Sequence, residues 1–128
     1  HVYKFIVGGI GKMNWELFRD EKDEKLLEPL YEQEGEEGVT KESIVRLDEA
    51  LDKYIDQMGI LGKDASEEDI LERVEKLILA INEINSDADD FLISGPEQKF
   101  LCNFINRSAR WAGLETEEED ITWEWRYW

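Results

Sequence analysis

Apolar side chains recur at intervals of three and four along four stretches of the chain, a spacing that puts them on one face of a helix. The first stretch runs from Asn14, a candidate cap, to about Tyr31 and carries Trp15, Phe18, Leu26, Leu27 and Leu30. Pro29 sits inside it, and an interior proline removes a hydrogen bond and clashes one turn back, so a break or two short helices are predicted there. The second runs from the cap Thr40 to Met58 through Ile44, Leu47, Leu51, Tyr54 and Ile55, with Gly59 read as the residue just past its end. The third opens on Ser66-Glu67-Glu68-Asp69, a capping box with Asp in the usual Glu or Gln place, and carries Ile70, Val74, Leu77, Ile78, Ile81 and Ile84. The fourth starts at Gly95-Pro96 and carries Phe100, Leu101, Phe104, Ile105 and Trp111 before Gly113.

Two segments depart from that period. His1 to Val7 is rich in β-branched and aromatic residues, and Ile121 to Trp128 alternates, with Ile121, Trp123, Trp125 and Tyr127 on one side. They are read as a short two-stranded element, with a helix as the alternative for the second, where Ile121, Trp125 and Trp128 fall at spacings of four and three. The chain opens on His, and Met13 is a candidate initiator, so residues 1–12 are treated as an uncertain segment, either a strand or an addition upstream of the domain. Residues 13–128 are then one mainly α domain, a compact bundle of about four helices.

Charge changes this picture most. The 128 residues include 32 acids against 15 bases, a formal net charge of −17. Such a field repels nucleic acid and anionic membranes and favours basic proteins, cations or solubility alone. The surplus is uneven: residues 16–37 hold ten acids and three bases, residues 64–90 ten acids and two bases, while residues 96–112 hold one acid and three bases. No apolar run approaches the ~20 residues a membrane span needs. The single cysteine, Cys102, excludes an internal disulfide and a thiolate metal cluster, which suits a reducing compartment, the cytoplasm.

Candidate chemistry is sparse. Val7-Gly8-Gly9-Ile10-Gly11-Lys12 resembles the end of a phosphate-binding loop, but Ile6 replaces its first glycine and Met13 its hydroxyl residue, so a loop or linker is the stronger reading. Asp87-Ala88-Asp89-Asp90 invites comparison with a calcium loop, yet Leu92 and Gln98 occupy the glycine and bidentate-glutamate positions, and a helix-connecting segment explains it better. The only histidine is His1, so a Ser-His or Cys-His pair lacks a base inside the fold. Cys102, between Leu101 and Phe104, reads as a small semi-buried side chain. With 32 acids, any chosen pair of carboxylates carries no information about hydrolysis. The expectation is therefore a non-enzyme with no cofactor and no metal.

The distinguishing feature is an acidic run, Glu115 to Asp120, beside four large rings, Trp123, Trp125, Tyr127 and Trp128. Aromatic anchors rimmed by carboxylates suit capture of a basic protein, whereas the bland alternative packs the rings back on the core. Taken together, an acidic single domain without a catalytic histidine or cofactor motif looks like the bacterial immunity proteins that neutralise basic nuclease toxins, a likeness of profile that rests on no diagnostic residue. It implies an immunity or inhibitor protein with a basic protein partner and no direct contact to nucleic acid or membrane. The candidate contacts are Glu67, Glu68, Asp69, Glu117, Glu118, Glu119, Asp120, Trp123, Trp125 and Trp128. The alternatives are a self-association module, forming a homodimer, whose acidity serves solubility, and a nucleic-acid mimic whose carboxylates imitate phosphates.

Overall fold

In the computed structural model, residues 7–62 and 65–128 are described, with side chains from residue 15 onward. The chain is an all-α bundle: α1 (Val7–Lys22), a π-helical turn (Asp23–Leu27), α2 (Glu28–Glu32), α3 (Lys41–Leu61), α4 (Glu67–Asp87) and α5 (Gly95–Trp111). Residues 7–12 are helical, so the expected glycine-rich loop is not formed there. The remainder of the N-terminal strand expectation, residues 1–6, lies outside the described residues.

Pro29 does not break the first helix. The turn before it is widened, with the Glu28 N–H donating to the Asp23 carbonyl five residues back, and the helix continues through Pro29 as a first-turn residue of α2. A proline ring clashes with the carbonyl four residues behind it, here that of Lys25, and a π turn relieves this by opening the backbone at that point.

α3 begins where expected, with the Thr40 hydroxyl accepting from Ser43 N and the Ser43 hydroxyl accepting from Thr40 N, both at 3.0 Å. Its end corrects the sequence reading: Gly59 stays helical, facing Trp15, and the terminator is Gly62, at φ 73°. α4 is capped by Ser66, which accepts from Asp69 N at 3.1 Å, and three acids in its first turn complement the positive end of the helix dipole. It closes on Asp89 and Asp90, both left-handed, which is the connecting role expected of that segment.

α3 and α4 run antiparallel, since Arg46 near the start of α3 pairs with Glu83 and Asp87 near the end of α4. Their inward faces supply about half of the core, including Ile44, Leu47, Leu51, Ile70, Val74, Ile78 and Ile81, which α5 closes with Leu101, Phe104 and Ile105. Each such side chain contributes on the order of 1.5–3 kcal/mol on burial. An aromatic row links α5 to α1, Phe100 stacking on Phe104 and Phe104 meeting Phe18 edge-on, with ring centroids 5.6 and 5.4 Å apart.

α1 meets α3 through Trp15 against Gly59 and, further along, through charge. Asp48, Asp52 and Asp56 recur every fourth residue along one face of α3. Arg19 reaches Asp52 at 2.8 Å and Asp56 at 2.7 Å, while Lys22 is held by Asp23, Asp48 and Asp52. Burial alone would depress the Lys22 ammonium, but its hydrogen bonds to the three carboxylates outweigh that and hold it above the ordinary lysine value. Asp48, Asp52 and Asp56 of α3 are thereby paired within the molecule while keeping contact with solvent.

A candidate acidic groove between α4 and the C-terminal segment

The chain after α5 is neither strand nor helix. Residues 121–125 form a turn, with Trp125 N and Arg126 N both donating to the Thr122 carbonyl, and the alternation seen in the sequence is not expressed as a strand. The β pattern loses because side chains on α4 and α5 take up the backbone groups that a neighbouring strand would have paired. Asn82 of α4 donates to the Trp125 carbonyl at 2.8 Å and accepts from Tyr127 N at 3.0 Å, and Gln98 of α5 donates to the Trp128 carbonyl at 2.9 Å.

A second anchor lies at the other end of the segment. Asn106 of α5 accepts from Ile121 N at 2.9 Å and donates to Asp120 at 3.0 Å. Asp120 also accepts from Thr122 N and the Thr122 hydroxyl, and Arg126 reaches its second oxygen at 3.2 Å. Partial burial pushes the Asp120 carboxyl up, but the donors on Thr122, Asn106 and Arg126 prevail and hold it below the usual aspartate value. Arg126 in turn lies over two indoles, 5.4 Å from the Trp123 centroid and 5.7 Å from that of Trp128. Trp128 packs against the core, with its indole N–H buried and without a hydrogen-bond partner among the described residues.

Between this segment and the start of α4 runs a groove of about 370 Å³. Leu71, Leu114, Ile121 and the half-buried Trp125 give it an apolar floor. Its rim carries Glu67, Glu115, Glu118 and Glu124, and Trp123, 74% exposed, stands at its edge. The wider concavity next to it is formed by residues 115–120, with Glu117 and Glu119, and shares Trp123. No lysine or arginine among the described residues lines either one. Among the described residues the rim glutamates enter no ion pair, whereas Arg19, Lys22, Arg46, Arg73, Arg107 and Arg126 are engaged with carboxylates.

Of the residues singled out in the sequence, Glu67, Glu118, Asp120, Trp123 and Trp125 thus meet at one groove, and Glu117 and Glu119 adjoin it. Glu68 and Asp69 are exposed on the first turn of α4, outside the groove wall, and Trp128 is turned inward. Asp120 is a scaffold for the loop as much as a rim charge. Sequence reasoning passed over Glu115 and Glu124 as contacts, although both flank residues it chose, and passed over Leu71, whose place on the partly exposed flank of α4 only the docked segment makes meaningful. It also passed over Asn82 and Asn106, polar residues on mainly apolar helix faces, which is the available signal for a side chain that satisfies buried backbone.

Burial holds the Cys102 thiol above its ordinary pKa despite its contact with Thr122, so it stays protonated at neutral pH. Among the described residues, no group of His, Cys, Asp and Glu side chains is arranged to hold a metal ion, and no helix is long and apolar enough to cross a membrane. Comparison of the chain with family models, with curated proteins and with solved structures finds no match.

Proposed function

We propose that the chain is an acidic binding protein that captures a basic protein segment in the groove between α4 and the C-terminal turn. One observation carries this reading: among the described residues, glutamates outside any ion pair rim an apolar and aromatic floor, and the one cation stacked on that floor's edge, Arg126, is already balanced by Asp120. A net charge of −17 supplies long-range attraction, and the rim gives it a local destination. The floor supplies the desolvated contact that charge alone does not give. Within this reading, an inhibitor of a cationic nuclease-type protein, in the manner of bacterial immunity proteins, is the specific form we favour, acting in a reducing cytoplasm where the single Cys102 remains a thiol.

Affinity capture with the full chain should recover a basic protein whose association slows at least tenfold, on the order expected for lost electrostatic steering, between low and high salt. Combined Glu115→Gln, Glu118→Gln and Glu124→Gln substitutions should reproduce that loss at low salt. Salt-insensitive binding, or binding unaffected by the triple substitution, would count against the proposal.

Self-association is favoured by a different observation. Leu17 and Trp111 are exposed beside Phe18 around a hollow of about 210 Å³ between α1 and α5. A dimer in sedimentation that persists at high salt and is lost in Leu17→Lys would support it.

A further inference from the structure

The structure contains one arginine already bound in the manner that the groove could offer to another. The Arg126 guanidinium lies over the rings of Trp123 and Trp128, and its edge is taken up by the Asp120 carboxylate, the Thr122 hydroxyl at 3.0 Å and the Trp128 carbonyl at 2.8 Å. That arrangement uses what distinguishes arginine from lysine, a flat cation that stacks by its face while its edge donates to oxygen.

Trp123 remains 74% exposed after Arg126 is seated. Trp123 lines both concavities, as do Glu115 and Glu118, and Glu124 follows it in the chain. The Arg126 charge is balanced by Asp120, so the arginine already seated on Trp123 does not by itself oppose a second cation there.

We infer that the exposed surface of Trp123 is an arginine-docking position, so that the captured segment is recognised through an arginine stacked on this ring with its guanidinium edge on Glu115, Glu118 or Glu124. The inference rests on the capture reading above and narrows it from basic to arginine-bearing partners. A lysine fits the field of the groove but not the stack, because its ammonium is compact, strongly hydrated and has no face.

The test uses the full chain and two capped peptides of equal length and charge, one alternating Arg and Gly, the other Lys and Gly, with binding followed by calorimetry at low salt. The arginine peptide should bind about three- to tenfold tighter, the range a single cation–π contact supplies. Trp123→Leu, at an exposed site where circular dichroism should confirm an intact fold, should bring the arginine peptide down to the lysine peptide and leave the latter within about twofold. Equal affinity of the two peptides for the unaltered chain would overturn the arginine position while leaving capture of basic partners standing. A Trp123→Leu chain that weakens both peptides alike would overturn it too, the ring then being a general apolar contact. Failure of both peptides to bind the unaltered chain would sink the inference and the capture reading together.

Discussion

Lys22 Nζ lies 2.7 Å from Asp52 Oδ1, and the Lys22 side chain is only 2% exposed while that of Asp52 is 38% exposed. The pair is therefore asymmetric: the cation is sealed in and its partners are half in water. Removing the carboxylates strands a buried charge, whereas removing the lysine leaves acids that solvent can reach. Asp23→Asn, Asp48→Asn and Asp52→Asn combined should cost about 3–5 kcal/mol, and Lys22→Met, which keeps much of the volume, about 1–2 kcal/mol. Urea denaturation of the two variants checks the ranking, which equal losses would refute. The lysine's raised pKa fixes the direction with pH: its contribution is full below the ordinary value of 10.5 and declines only as pH rises beyond it.

Tyr54 in α3 and Ser108 in α5 share a fully buried hydrogen bond of 2.6 Å, in which the phenol donates because the serine hydroxyl itself donates to the Ile105 carbonyl at 3.1 Å. Ser108→Ala leaves the Tyr54 hydroxyl buried without an acceptor and should cost about 1–3 kcal/mol. Adding Tyr54→Phe removes the orphaned group and should recover part of that loss. A double-mutant cycle by thermal or urea denaturation measures it, and strictly additive losses would show the bond to be unimportant.

Gly38 holds the loop before α3 against the loop after α4 at φ +79°, and a Cβ there would lie 2.4 Å from Phe91 Cβ and 2.7 Å from the Ala88 carbonyl oxygen. Gly35 has a similar left-handed backbone, at φ +106°, but open space around it. Gly35→Ala should therefore cost about 1–2 kcal/mol for conformation alone. Gly38→Ala adds the cost of forcing two loops apart, about 1–3 kcal/mol further. Matching melting temperatures for the two variants would contradict this account.

Asp120 gives the groove a dependence on acid. Its pKa is lowered in the folded chain, so its contribution is present above the ordinary aspartate value of 3.8 and is lost as pH falls through the lower folded value. Acidification below about 3.8 should loosen the turn at 120–126, seen as a change in tryptophan emission before the helices melt by circular dichroism. Asp120→Asn should show the loosened emission already at neutral pH. A single coincident transition in both probes would argue that the turn is not an independent unit.

Most of the bundle was legible because helix periodicity and capping are local properties. Thr40, Ser66 and Gly95-Pro96 mark real starts, and most of the apolar stripes named from spacing are buried in the core, Trp111 being the exception at 49% exposed and Trp15, Phe18 and Phe100 only partly covered. The misreadings arise where two local signals compete or where distant groups decide. Gly59 looked like a terminator because glycine commonly follows a helix's last apolar residue, but of Gly59 and Gly62 only the latter adopts a left-handed angle. The alternating rings at 121–128 looked like a strand because periodicity cannot register that Asn82 and Gln98, more than twenty residues away, take up their backbone groups. The groove was half legible: its charges and rings were visible as runs, but the alignment of Glu67 with Glu115 and Trp123 exists only once the C-terminal segment lies across α4.

The π turn at Asp23–Leu27 makes the first long helix a two-sided adaptor. A wider turn sets the residues after it out of phase with those before it, so one unbroken rod offers Arg19 and Lys22 to the carboxylates of α3 and then Leu26, Leu27 and Leu30 to the apolar interior. Deleting one residue from this turn would restore uniform phase and force a choice between the ionic seam and the oily one. The register slip is what lets a single segment fasten to its neighbours by two unlike adhesives.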